Sequence, residues 1–194
     1  MARRVVDKEI AHRLLAGGPV VLVATRYGER ANVMAASWIT PISMSPPLLA
    51  VSVHKGSLTH EYIERSGEFT VNVPGRALLH RVRDSGMISG NDVAEKLRQV
   101  GLEPLAAESL DTPILRGCLG YLECSVQEAY DAGEDHTLFV AEVVAAQAED
   151  EAFDETWLLP EEEEAKPLHH LGGNTYAVLD KLILAAPQPD EGRE

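Results

Sequence analysis

A chain of 194 residues and 21.1 kDa has the length of one domain. With 45% apolar and 25% charged residues it can build a core, which excludes a wholly disordered or collagen-like protein. Acids outnumber bases 31 to 17, a formal net charge of −14, and such a field repels phosphate backbones, so no nucleic-acid partner is expected.

The charge is unevenly placed. Residues 1–116 hold 14 Lys and Arg against 12 Asp and Glu, whereas residues 117–194 hold 3 against 19. No Lys or Arg occurs from Gly117 to Ala165. An anionic ligand therefore belongs with the first part of the chain, and the acidic remainder reads as solvated surface. Asp7, Lys8 and Glu9 interrupt the basic start before any apolar leader forms. The apolar runs at Val20–Thr25 and Leu48–Val53 are too short for a bilayer, so no membrane association and a cytoplasmic location are expected.

Asp7 caps a short helix in which Ile10 and Leu14 share a face and which Gly17-Gly18 ends, so residues 1–18 form an N-terminal helix packed on the domain. Pro19–Arg26 and Arg30–Ser37 form a hairpin about Tyr27-Gly28-Glu29. Pro46-Pro47 leads into Leu48–His54, where Val51 and Val53 share one face and Ser52 and His54 the other. A helix runs from Ser57 or Thr59 to Ser66, closed by Gly67. In the strand that follows, Phe69, Val71 and Val73 alternate with Thr70 and Asn72.

Arg76–Ser85 and Val93–Val100 have helical patterns, with Ser89-Gly90-Asn91-Asp92 as the loop between them. Gly117–Tyr130 and His136–Ala148 are long strands joined by a turn at Asp131–Asp135. Cys118 and Cys124, the two cysteines, would lie about 20 Å apart on one strand, which excludes a disulfide between them. Residues 149–166 form an acidic insert, read as a partly mobile loop or flap, with nine acids from Glu149 to Glu164 and Trp157-Leu158-Leu159 in its middle. Leu168–Leu179 contributes a final strand, the domain spans 19–180, and 181–194 is a tail. Many strands, short helices and no βαβ rhythm predict a mainly β protein, an antiparallel barrel with short peripheral helices.

No Gly-x-Ser-x-Gly elbow, His-Glu-x-x-His, Cys-x-x-Cys or Walker loop is present, and the histidines lack partners at metal-ligand spacing. One stretch carries a usable site. His54-Lys55-Gly56-Ser57-Leu58-Thr59-His60 lies at a strand end and opens a helix, where free backbone N–H groups favour a phosphate. Ser57 and Thr59 add hydroxyls, Gly56 permits close approach and Lys55 adds charge. An ordinary cap by Ser57 or Thr59 accounts for the same residues.

The preceding segment, Asn32 through Ser37-Trp38, Thr40, Ser43 and Pro46-Pro47 to Ser52, resembles the flavin reductase-like family, the FMN-binding Greek-key split barrel. Thr59–Ile63, Glu68–Val73, Ser89-Gly90 with Lys96 and Gly101-Leu102, Asp135–Val143 and Pro167–Tyr176 are similar to its later segments, so the resemblance covers about residues 15–180. It implies a homodimer with one FMN per subunit and NADH or NADPH as electron donor. Asn32, Ala36, Ser37 and Trp38 would line the ring and ribityl chain, Ser52 and His54 would face the cofactor, and Lys55, Ser57 and Thr59 would hold the phosphate. His136 would stand near the ring, where a nicotinamide could stack. Family members often carry a base where this chain has Ser57, and a basic or aromatic residue where it has Asn174. The activity implied is that of a flavin reductase serving an acceptor or partner monooxygenase; the alternative is a non-enzymatic, flavoredoxin-like electron carrier whose acidic insert docks a basic partner.

Overall fold

The computed structural model describes residues 3–183, so most of the expected tail lies outside the described residues. β1 (Val21–Tyr27) and β2 (Arg30–Ala36) form the expected hairpin, with Gly28 in its turn at φ 59°, a left-handed conformation that glycine adopts freely. A second hairpin joins β3 (Ile39–Met44) to β4 (Pro47–His54). Nothing in the pattern of Ile39–Met44 predicts a strand: Pro41 interrupts it and most of its side chains are exposed. It pairs on one side only, at a sheet edge, where a proline is tolerated.

α1 (Leu58–Ser66) starts at Ser57, whose hydroxyl accepts the His60 N–H at 3.2 Å, and ends at Gly67. β5 (Glu68–Pro74) leads through a 3-10 turn at Arg76–Leu78 into α2 (Leu79–Met87). The helix expected over Val93–Val100 is only α3 (Lys96–Gln99), because the Val93 and Ala94 carbonyls accept hydrogen bonds from the Arg30 side chain. Two short strands, β6 (Pro104–Leu105) and β7 (Ile114–Leu115), precede the long hairpin of β8 (Cys118–Ala132) and β9 (His136–Ala148).

The main sheet runs β2-β1-β5-β8-β9-β4-β3, every neighbouring pair antiparallel. Its two edges, β2 and β3, are consecutive in the chain and joined only by Ser37 and Trp38. Laid flat, six strand spacings of about 4.8 Å would part the edges by roughly 29 Å. Three Cα steps from Ala36 to Ile39 reach about 11 Å at most. The sheet must roll until its edges approach, and the result is an antiparallel split barrel with its seam between β2 and β3.

Side-chain alternation then sorts two cores. Val21, Val23, Val51, Val53, Phe69, Val71 and Phe139 fill the inside of the roll, with Ile63 of α1 packed against them. Leu22, Ala24 and Val33 point outward and are covered by Val82, Leu97, Leu102 and Leu115 from the helices and the following loop. Both cysteines are free and buried in these layers, and burial pushes each thiol up to about 12.

The outer layer is fastened by buried polar side chains. Asn72 donates to the Leu22 carbonyl at 3.1 Å and accepts the Leu115 N–H at 2.8 Å, while Thr70 donates to the Pro113 carbonyl at 2.7 Å. Glu123, 2% exposed, accepts the N–H groups of Glu108, Ser109 and Leu110 at 2.7, 2.8 and 2.9 Å. These side chains take the place of strand partners for a loop that has few of its own.

The termini and the insert depart from the sequence expectations. Residues Lys8–Leu15 form a 3-10 helix capped by Asp7, and none of its residues is buried. The acidic insert is tethered rather than loose: β10 (Phe153–Asp154) pairs with β11 (Thr156–Trp157), Trp157 lies against Gly120, and Arg76 holds Glu163 and Glu164. The closing segment is a hairpin, β12 (Leu168–Gly172) with β13 (Thr175–Val178), and β12 bonds the Gly17–Val20 stretch that enters β1. Among the described residues no helix is long and apolar enough to cross a membrane.

Replacing Glu123 with Ala removes the buried carboxylate that accepts three loop N–H groups, so urea unfolding should show a loss of roughly 1–3 kcal/mol. A loss below 0.5 kcal/mol would mean that water satisfies this loop.

Candidate functional site

β2, β4, the start of α1, α2 and the Ser89–Glu95 loop enclose a cleft of about 340 Å³. β2 contributes Asn32 and β4 ends there at His54. Ser57 and Thr59 come from the start of α1, Ser85 from α2, Gly90 from the loop and Lys96 from α3. Asn32 donates from Nδ2 to Thr59 Oγ1 at 2.9 Å, yet its buried Oδ1 has no partner. Ser85 Oγ is likewise buried and unpartnered. Lys96 is 4% exposed, with its Nζ donating to the Ser85 carbonyl at 2.8 Å, and burial lowers its pKa to about 8. A buried ammonium beside unpaired polar atoms in a polar cleft is suited to an anion that brings its own hydrogen-bonding oxygens.

Gly90 forms the close wall of this cleft. A Cβ there would collide with Asn32 Oδ1 and stand 2.9 Å from Leu58 Cδ2. The close approach expected at Gly56 is to the chain itself: its N–H donates to His54 Nδ1 at 3.0 Å.

A second groove of about 230 Å³ continues from the first through Met34, Ala35, His54 and Ser57 to Ala36, Ser37, Trp38, Ser52 and His136. It lies along the seam. Trp38 is not core; it is 50% exposed, with its ring 5.2 Å from that of His136 and 5.6 Å from that of His12. His136 faces His54 edge-on at 5.4 Å and contacts Asp135 Oδ1 through Nδ1 at 2.9 Å. That bond holds the Asp135 carboxyl below its ordinary range. Beyond Trp38 opens a cleft of about 590 Å³ that includes His12, Arg13, Ser37 and His170.

The structure brings together all but one of the site residues named from sequence. Asn32, His54, Ser57 and Thr59 line the first cleft, and Ala36, Ser37, Trp38, Ser52 and His136 line the groove. Lys55 lines neither. Its ammonium pairs with Asp131 at 2.7 Å and its N–H donates to the Asp135 carbonyl, so the end of β8 and the turn after it draw it away. The Ser57 hydroxyl is committed to capping, accepting from His60 and donating to the His54 carbonyl at 2.8 Å. The buried cation of the cleft is Lys96, which the resemblance marks in the middle loop without a role, and Ser85 has no sequence signal; both become buried only when α2 and α3 pack on β2. His60 is a satisfied core histidine, 2.8 Å from Thr137 Oγ1. Among the described residues no group of three His, Cys, Asp or Glu is placed to hold a metal.

A model of the flavin reductase-like domain matches residues 14–177. An uncharacterized Escherichia coli protein, YddH, is 32% identical over 93% of this chain and 96% of its own length. An NADH-dependent FAD reductase of Streptomyces globisporus is 30% identical over 65% of this chain and 68% of its own. The structure of an FMN-binding domain of a flavin reductases-like enzyme from Shewanella baltica superposes with a TM-score of 0.80 at 33% identity, covering 94% of this chain and 97% of that one. Flavoredoxin from Methanosarcina acetivorans gives 0.82 at 25% identity, covering 98% of both.

The Lys96 ammonium sets a pH signature. Between about pH 8 and its ordinary value of 10.5, the unfolded chain holds a proton that the folded chain has lost, so folding gains stability as pH rises through that window. Below about pH 8 both states are protonated and the cost of burying the charge is fully present. Chemical denaturation from pH 7 to 11 should show wild-type stability rising relative to Lys96→Met. A difference that stays constant with pH would mean that this amine keeps its ordinary hydration.

Proposed function

The chain belongs to the flavin reductase-like domain family, and from that premise we propose that it binds FMN and acts as an NAD(P)H-dependent flavin reductase, passing electrons to an acceptor or partner oxygenase. The observation that carries this reading is the cleft built on Lys96, Asn32 and Ser85, continuous with a groove bordered by the Trp38 and His136 rings. FMN fits these residues: its phosphate would meet the buried ammonium, the Thr59 hydroxyl and the open N–H groups at the start of α1. The ribityl chain and ring would run past Ala35, Ala36 and Ser37 toward Trp38 and His136.

The bound flavin supplies the hydride-accepting and electron-passing chemistry, so the protein's own tasks are binding and orientation. Trp38 and His136 border the groove where a nicotinamide would stack, and the larger cleft beyond Trp38 offers room for the rest of a dinucleotide. The Streptomyces relative, named as an NADH-dependent FAD reductase, supports an enzymatic role. A homodimer is part of the proposal. Ile42 and Met44 on the edge strand β3 are 50% and 95% exposed, and together with Trp38 they place apolar surface along the seam.

Likeness to a flavoredoxin favours the second reading, an electron carrier without nicotinamide turnover. The acidic insert leaves β9 at the end far from His136 but returns into β12, whose His170 lines the cleft beyond Trp38, and there a basic redox partner would meet it.

Protein soaked in FMN and desalted should keep an oxidised-flavin absorption spectrum, and anaerobic NADH or NADPH should bleach it. Retained flavin with no bleaching would select the carrier; colourless protein would reject both readings. Thr59→Ala should weaken FMN binding by about 1–2 kcal/mol. Flavin fluorescence titrations should also show affinity falling as pH rises past about 8, where Lys96 loses its proton in the free protein. An affinity flat to pH 10 would remove Lys96 from the phosphate site.

A further inference from the structure

We propose that Arg30 is the positioning residue that shapes the phosphate end of the site, and that through the Ser89–Glu95 loop it sets the preference for a phosphorylated flavin over an unphosphorylated one. The inference rests on the FMN reading above.

Arg30 stands at the start of β2, two residues before Asn32, so both side chains leave the same face of the strand. Its guanidinium closes on the loop. Nη2 donates to the Gly90 carbonyl at 2.5 Å and to Val93 at 3.0 Å, and Nε donates to Ala94 at 3.1 Å. Among the described residues Arg30 makes no ion pair; its donors go to backbone carbonyls alone. A second tether comes from the other side, where Asn91 Nδ2 donates to the Gly56 carbonyl at 2.9 Å. The loop thus spans from β2 to the turn before α1, and Ser89 and Gly90 form a wall of the anion cleft.

Two consequences follow from this clamp. It presses Gly90 against Asn32 and Leu58, where no Cβ fits. It also diverts the Val93 and Ala94 carbonyls from a helical ladder, so that α3 starts at Lys96 and the ammonium reaches the Ser85 carbonyl inside the cleft. Arg30 lies outside the cleft lining and acts through the loop. A lysine has one point of charge and cannot serve three carbonyls spread over five residues as the planar fork does.

Loss of the clamp should therefore affect the phosphate and spare the ring. FMN and riboflavin are each titrated into the wild type, Arg30→Met, Arg30→Lys and Asn91→Ala, with thermal melts of all four. Wild type should prefer FMN. Arg30→Met should lose about tenfold or more in FMN affinity with riboflavin affinity kept, Arg30→Lys should follow it, and Asn91→Ala should fall part of the way. An unchanged FMN-to-riboflavin ratio in Arg30→Met, or an equal loss of both flavins, would overturn the proposal, the latter showing a merely structural arginine. Should Arg30→Met not fold, the ratio in Arg30→Lys and Asn91→Ala decides by the same criterion. A wild type that binds both flavins equally would instead overturn the phosphate site itself.

Discussion

Ser37 and Trp38 link the two edges of a seven-stranded sheet, and that short tether governs the architecture. A flat or gently twisted sheet would leave its edges too far apart for two residues to join, so the strands must curl into an open roll. Curling gives each strand an inner and an outer face, which is why β1 is apolar on both: Val21 and Val23 face in, Leu22 and Ala24 face out. The tether also sits at the seam, so the residues that force the roll border the groove that the roll creates.

Polar groups do most of the remaining positioning. Buried Thr70, Asn72 and Glu123 hold the loop before β8 against the outside of the roll, supplying hydrogen bonds that a strand neighbour would otherwise give. Around the anion cleft the balance is different. Asn32 Oδ1 and Ser85 Oγ are left without partners, and Lys96 is charged only against its burial. Among the described residues four buried side-chain atoms lack partners; Thr25 Oγ1 and Arg26 Nε lie outside the cleft lining, while Asn32 Oδ1 and Ser85 Oγ lie in it, where an anion would relieve them.

Charge segregation follows the same geometry. The basic first part of the chain builds the cleft, while the acidic insert gathers at the opposite end of β9, anchored by Arg76 and by Trp157 against Gly120. The insert contributes no residue to the cleft, so none of its nine carboxylates stands among the groups that would meet an anion there.

Much of the fold is legible in the chain by itself, because its signals are local. The alternation at Leu48–His54 assigns Val51 and Val53 to the core and Ser52 and His54 to the groove; Gly28 and Gly133 mark turns; Ser57 and Gly67 bound α1. The order of motifs from Asn32 to Tyr176 was enough to suggest the family. Edge strand β3 escaped because an exposed edge has no alternation to read, and α3 proved short because its carbonyls answer to Arg30, some sixty residues away. The site divides in the same manner. Thr59, Trp38 and His136 are named from the sequence and line the clefts, but the sequence reading puts the cation at Lys55, whereas Lys96 is the lysine that the fold buries in the cleft. The end of β8 offers Asp131 to Lys55 and draws it outward, while the packing of α2 and α3 on β2 buries Lys96. Local pattern determined which residues could bind an anion; long-range packing decided which of them are desolvated, and a charge becomes a strong binding group only where water is removed.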